Sequence, residues 1–170
     1  MRKLAEDGRP LPGHHIETLS GGDLGVVARI HAKCFFDAWD EDMLTQILEM
    51  PGSFGLVARR PRFDSIAGFA LARVAADECE LLSLGVSPEC RSQGIATALL
   101  RGSMSRAAAE RARWFFLEVA TDNEAARRLY RAHGLVKVGA RPDYYENEDG
   151  SRTDAHTMRC DLGDLLPGRS

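Results

Sequence analysis

The sequence has no apolar run approaching the roughly 20 residues that a membrane span requires. It has no surplus of either charge: 22 Lys and Arg face 25 Asp and Glu, a net charge of −3. The first absence argues against a membrane protein. The second argues against a nucleic-acid binder driven by phosphate neutralisation. Cysteine is sparse, at Cys34, Cys79, Cys90 and Cys160, and no two have the spacing of a zinc or redox CxxC pair. Scattered thiols in a chain of this size fit a reducing cytosol, so a cytoplasmic protein is expected. His14, His15, His31, His133 and His156 show neither zinc spacing nor a Ser or Cys partner pattern, and no metal is expected. After Arg2 and Lys3, Glu6, Asp7 and Pro10 stand where a signal peptide needs apolar residues.

What is present is globular: 170 residues, 44% hydrophobic and 28% charged, which reads as one domain. A domain of this length buries about 70% of its unfolded surface and needs no disulfide or metal staple. Residues 1–13 are polar, with Pro and Gly, and are expected to form a loose tail. The domain is expected over 14–163, with a second short tail over 164–170.

A first strand is expected over His15–Leu19, ended by Gly21-Gly22-Asp23. Leu24, Val27, Ala28, Ile30 and His31 then fall at helical spacing. Asp40 is placed to cap a second helix carrying Met43, Leu44, Ile47 and Leu48. Phe35, Phe36 and Trp39 lie between the two helices, and core packing is favoured for them over lining a groove. Strands over 54–58, 65–74 and 79–86, with a turn at Arg60-Pro61-Arg62, imply an antiparallel meander. A long helix repeats Ala96, Leu99, Leu100, Met104 and Ala107. Trp114–Val119 is a compact apolar strand. A helix over Thr121–His133 has a capping-box pattern, Thr121 to Glu124, and Gly134 stands where a C′ glycine belongs. Residues 135–139 and 156–160 read as a terminal hairpin.

The informative segment joins Leu81-Leu82-Ser83-Leu84-Gly85-Val86 to Arg91-Ser92-Gln93-Gly94-Ile95-Ala96 through a short turn. A buried strand runs into a helix start bearing Gly94 and Ala96. Helix N-termini leave backbone N–H groups unpaired and carry partial positive charge, so they bind phosphate well. The small residues let a large anion reach the backbone. The bland alternative is a glycine that relieves crowding before an ordinary helical alanine. No Gly-Lys-Ser/Thr follows, so this is not a Walker loop. A second oddity is Glu118, an acid after the apolar run Trp114-Phe115-Phe116-Leu117. It stands at the strand's C-terminal end, where sites of open α/β sheets gather. An edge carboxylate facing solvent or pairing with an arginine is the alternative.

Arg91–Ala96 resembles the Q/R-x-x-G-x-G/A pyrophosphate motif of the GNAT superfamily of N-acetyltransferases. The resemblance extends over about residues 15–162. It is nearest to the RimI-like ribosomal-protein-alanine N-acetyltransferases in Phe115–Val119, Asp122–Ala126, Leu129-Tyr130, Gly134-Leu135, Tyr144-Tyr145, Asp149-Gly150, Asp154-Ala155 and Met158. It implies an α/β fold: a mixed sheet of about seven strands, with helices on both faces. Two central parallel strands, 79–86 and 114–119, would part in a V that takes acetyl-CoA. By the same resemblance Leu84, Gly85 and Val86 would hold the pantetheine arm. Arg91, Ser92, Gln93, Gly94, Ile95, Ala96 and Thr97 would form the pyrophosphate turn, and Asn123 would touch the cofactor arm. Glu118 matches the position of the general base and Tyr130 that of the general acid. Read alone, Tyr130 is a core tyrosine and Asn123 a capping residue.

The implied reaction is direct acetyl transfer to a protein N-terminal α-amine, an alanine of a ribosomal small-subunit protein. A small amine, a lysine, or a non-catalytic acyl-CoA sensor on the same fold are the alternatives. Ala120-Thr121-Asp122-Asn123 replaces the group's usual Arg-x-Ser-Asn, Leu135 replaces its Phe, and Ala38 replaces a Pro before Trp39. These departures flank the expected peptide site and bear on the acceptor. Glu146, Glu148, Asp149 and Asp154 would attract a basic substrate, or simply form a solvated Asp-Gly turn.

Overall fold

The computed structural model describes residues 13–60 and 63–165. The expected N-terminal tail (beyond Gly13), Pro61 and Arg62 of the expected turn, and residues 166–170 lie outside the described residues. Asp164 and Leu165 belong to a short 3₁₀ turn, Gly163–Leu165.

Seven strands form one mixed sheet in the order β1-β2-β3-β4-β5-β7-β6. They are β1 His15–Thr18, β2 Ser53–Arg60, β3 Ser65–Ala75, β4 Glu78–Val86, β5 Trp114–Ala120, β6 Val136–Glu146 and β7 Arg152–Asp161. β3 is buried without a break from Ile66 to Ala72, as a strand covered on both faces must be. On one face α1 (Leu24–Cys34) and α2 (Glu41–Glu49) pack Val27, Ile30 and Leu44 onto Val57, Phe69 and Leu71. On the other, α3 (Ile95–Ala109) and α4 (Glu124–Ala132) bring Leu99, Leu100 and Tyr130 against Leu81, Phe115 and Leu117.

β4 and β5 run parallel but stay paired only from Glu78↔Trp114 to Leu81↔Leu117. β4 continues to Val86 and β5 to Ala120, so the sheet parts along their C-terminal halves. The cause is local. Against β3, Leu81 pairs with Ala72 and Ser83 with Leu71, leaving Leu82 as an extra residue. A bulge of this kind bends its strand, and here the bend comes where the pairing with β5 stops.

Three expectations need correction. α4 begins at Glu124, not Thr121. Its cap is Asn123, whose Oδ1 accepts from the Ala126 amide at 3.2 Å, and Glu124 instead pairs with Arg127 and Arg131. The terminal hairpin is longer than its apolar residues indicate. β6 extends through Pro142 to Glu146 as an exposed edge strand, where alternation gives no signal. Phe35 and Phe36 are 37% and 59% exposed, not core residues, although Trp39 does pack inward. Gly134 holds its expected place, with φ +83° and the Leu135 amide bonded to the Tyr130 carbonyl at 3.1 Å.

Candidate active site

The cleft between the diverging strands begins with the far half of β4. Leu84, Gly85 and Val86 pair with Ala70, Phe69 and Gly68 of β3 along one edge. β5 has left the other edge, so backbone groups there are open to a ligand. Gly85 is required by packing. A Cβ there would lie 2.7 Å from the Phe69 ring and 3.3 Å from Cys34 Sγ. The Val86 carbonyl is already engaged, accepting from Arg91 Nε at 3.3 Å and from the Cys34 thiol at 3.4 Å.

The turn after β4 passes through a 3₁₀ segment, Pro88–Cys90, to the exposed residues Arg91–Gly94. Ser92 (φ +60°) and Gly94 (φ +76°) take left-handed conformations, which reverse the chain into α3. The first amide bonded back across this turn is that of Ala98, to the Gly94 carbonyl at 3.0 Å. Among the described residues no backbone carbonyl or capping side chain receives the amides of Ile95, Ala96 and Thr97. Ile95 is buried and pins the turn to the core, while Gly94 presents open space beyond its backbone. Phosphate oxygens fit this cradle on its chemistry. Cys90 is buried, and its sulfur accepts from Arg60 Nη1 at 3.0 Å.

Glu118 lies just past the last β4–β5 pair. Neighbouring side chains on β5 alternate, so Leu117 and Val119 face α4 and Glu118 projects from the opposite face. Its carboxylate oxygens accept from Thr157 Oγ1 at 3.0 and 2.9 Å, and Oε1 lies 3.2 Å from Arg141 Nε. Thr157 is its register partner on β7. Nearby, burial and the charge of Glu118 raise the Glu80 carboxyl above its ordinary range, while Arg141 and Arg73 oppose that rise.

Tyr130 is buried among residues on the α4 side, and burial pushes its phenol up to about 12. It therefore stays protonated at neutral pH. Tyr145 comes in from β6 and donates from its hydroxyl to the Glu118 backbone carbonyl at 3.1 Å. Burial raises its phenol too, with smaller contributions from Tyr144, Tyr130 and Glu118. Asn123 is exposed, and its side chain is occupied as the α4 cap.

The structure therefore places Glu118 beside the open edge of β4, with the amides of α3 at the end of the cleft, while Tyr130 lies buried on the α4 side, the face opposite the Glu118 carboxylate. Sequence reasoning missed Arg141, Thr157, Glu80 and a chemical role for Tyr145. Glu80 carried the signal that marked Glu118, an acid between apolar residues of a strand. The others depend on hairpin register. Of the hairpin acids, Asp149 accepts from Ser151, Asp154 from the Asp143 amide, and Glu146 pairs with Arg152, which favours the turn-forming alternative for these three. Among the described residues no group of three or more His, Cys, Asp or Glu is placed to hold a metal ion. No helix there is long and apolar enough to cross a membrane.

A model of the acetyltransferase (GNAT) family matches residues 25–135. The N-alpha-acetyltransferase RimI of Mycobacterium tuberculosis is 35% identical over 155 residues, 88% of this chain and 93% of that protein. The [ribosomal protein bS18]-alanine N-acetyltransferase of Escherichia coli is 34% identical over 143 residues, 84% of this chain and 94% of its own length. A crystal structure of the Escherichia coli ribosomal-protein-S18-alanine N-acetyltransferase superposes with a TM-score of 0.80 at 26% identity, covering 88% of this chain and 94% of that one. The split sheet, the glycine turn and these likenesses lead to one conclusion: the chain belongs to the GNAT family of acetyltransferases.

Proposed function

We propose that this protein acetylates the α-amine at the N-terminus of a protein, an alanine of a ribosomal small-subunit protein, and does so in the cytoplasm. The observation that carries this is a mostly buried carboxylate, Glu118, at the mouth of the split, in a chain with relatives named as [ribosomal protein bS18]-alanine N-acetyltransferases.

Acetyl-CoA supplies an activated acetyl thioester. The residues that would hold it are Leu84, Gly85 and Val86 along the pantetheine arm and Arg91–Thr97 at the pyrophosphate. Glu118 then accepts the proton that the acceptor's ammonium must lose before its nitrogen can attack. As the new C–N bond forms and the C–S bond breaks, Tyr130 gives its proton to the departing sulfur, while the second proton that the nitrogen sheds on becoming an amide passes to solvent, from which the phenolate is reprotonated. Burial keeps the phenol protonated at neutral pH, so the hydroxyl carries a proton and does not serve as a base. The acceptor class follows the same arithmetic. An α-amine with a pKa of about 7.7–8.0 is roughly a tenth neutral at pH 7, whereas a lysine near 10.4 is less than about a thousandth neutral. One carboxylate has far less to do for the first.

The test is acetyl-CoA turnover against N-terminal peptides, lysine peptides and polyamines, with products located by mass spectrometry. Acetyl on the α-amine of alanine-initiated peptides is the expected result. Acetyl on lysines or polyamines alone would replace this acceptor. Acetyl-CoA binding with no product from any member of the panel would make the protein a sensor.

A further inference from the structure

In the free protein the Glu118 carboxylate already has a cation beside it. We propose that Arg141 occupies the position that the acceptor's ammonium takes during the reaction, so that acceptor binding exchanges one cation for another. This rests on the reading of Glu118 as the acceptor-side carboxylate.

Burial of the two partners is very unequal. The Glu118 side chain is 9% exposed and that of Arg141 is 60% exposed. A guanidinium that swings away enters water at little cost, as exposed ion pairs are weak. The carboxylate left behind regains only part of its hydration, and a mostly buried charge stripped of its partner is unfavourable. Arg141 therefore leaves readily only when another cation arrives. Thr157 Oγ1 stays at the carboxylate throughout, at 2.9–3.0 Å, and holds its orientation during the exchange.

Arg141 also keeps a second partner when it leaves the carboxylate. Its guanidinium carbon lies 5.3 Å from the centroid of the Tyr144 ring, and Tyr144 is exposed. An aromatic face accepts a cation at that range. Arg141 is the last residue of β6 in regular register before the irregular stretch to Tyr145, which includes Asp143 at φ +51°. The second carboxylate, Glu80, senses both Glu118 and Arg141. Arg73 also acts on Glu80, and replacing the Arg141 guanidinium by an ammonium leaves the net charge of the cluster unchanged.

The exchange also serves product release. The acetylated nitrogen is a neutral amide and has no charge with which to hold the place. Once the proton taken by Glu118 has passed to solvent, Arg141 returns to the carboxylate and excludes the product.

The experiment measures binding by calorimetry with CoA present. The probes are an alanine-initiated hexapeptide amide with a free N-terminus and the same peptide N-acetylated. Arg141→Gln should tighten the free-amine peptide by about tenfold, the scale expected for removing a competing unit charge near a protein surface. The acetylated peptide should change by less than about twofold, and KM for the free-amine acceptor should fall more than kcat changes. Arg141→Lys, which keeps a cation, should remain near wild type. Weaker or unchanged binding of the free-amine peptide to Arg141→Gln would overturn the proposal. So would equal tightening of both peptides. Normal turnover by Glu118→Gln would instead remove Glu118 as the base, and the binding comparison is independent of that result.

Discussion

Glu118 meets three different groups: a hydroxyl that orients its carboxylate, a guanidinium that balances its charge, and a phenol that ties down its backbone. Replacing it by Gln keeps the shape and removes the base. Turnover should fall by roughly 10²-fold or more while calorimetry finds acetyl-CoA bound as before. The acid is a separate question, since Tyr130 is buried on the α4 side and the half-buried Tyr145 bonds the Glu118 backbone. Tyr130→Phe preserves the ring and should lower kcat by about 10- to 10³-fold with little change in the unfolding midpoint. Tyr145→Phe removes a hydrogen bond worth about 1 kcal/mol. It should lower the midpoint and affect kcat less. Normal kcat in Tyr130→Phe together with a severe loss in Tyr145→Phe would transfer the acid role to Tyr145. Glu118 could be read from the sequence because an acid in an apolar strand is costly without a purpose. Arg141 and Thr157 could not. Each reaches Glu118 only through the register of a hairpin whose bulges leave no mark on the order of residues.

At the scale of elements, the Arg91–Thr97 turn is a conformational device as much as a gap. Gly94 has φ +76°, and a Cβ there meets nothing within 4 Å in the protein itself. A valine would stand in the space proposed for the pyrophosphate. It would also carry the left-handed penalty of about 1–2 kcal/mol. Gly94→Val should therefore weaken acetyl-CoA binding at least about tenfold by calorimetry on folded protein; equal affinity would free the turn of that role. The glycine, the preceding strand and the following helix were all plain in the sequence, because each rests on local chemistry. The hairpin's length and the start of α4 were not, because Asn123 outcompeted Thr121 as cap only in the folded turn. Helix α1 carries another element-level effect. His31 is buried, its Nδ1 accepts from the Trp39 amide at 3.1 Å, and its ring packs with Phe35, Trp39 and Phe69. Burial lowers it from 6.5 to about 4. Between those values the unfolded chain binds the proton that the folded chain refuses. This stabilisation is complete above about pH 6.5 and is lost as pH falls toward 4. Thermal midpoints taken from pH 7 down to 4 should drop, and His31→Gln should flatten that slope. An equal slope in the variant would place the acid sensitivity elsewhere.

For the whole molecule, acetyl-CoA should act as a structural member. At a hundredfold excess over its dissociation constant, a ligand that binds only the folded state adds about 2.7 kcal/mol. In a domain of this size that corresponds to a rise of about 5–10 °C in the melting midpoint. Gly94→Val should show less of that rise at the same concentration. No rise in the wild-type protein would deny the split its ligand. The antiparallel meander followed from the order of apolar runs and the mixed sheet from the family resemblance, yet the bulge at Leu82 that opens it followed from neither, since Leu82 is one more leucine in an apolar strand. That bulge has a mechanical consequence. Two leaves of the sheet, one holding β1–β4 and the other β5, β7 and β6, are bound edge to edge by a spine only four residue pairs long. Beyond the spine, amides on the facing margins of both leaves are open to deuterium from solvent. A molecule lying between the leaves touches both, so protection of Leu84 and of Ala120 should rise in step as the cleft fills, and the molecule should stiffen like a hinge closed on a bolt.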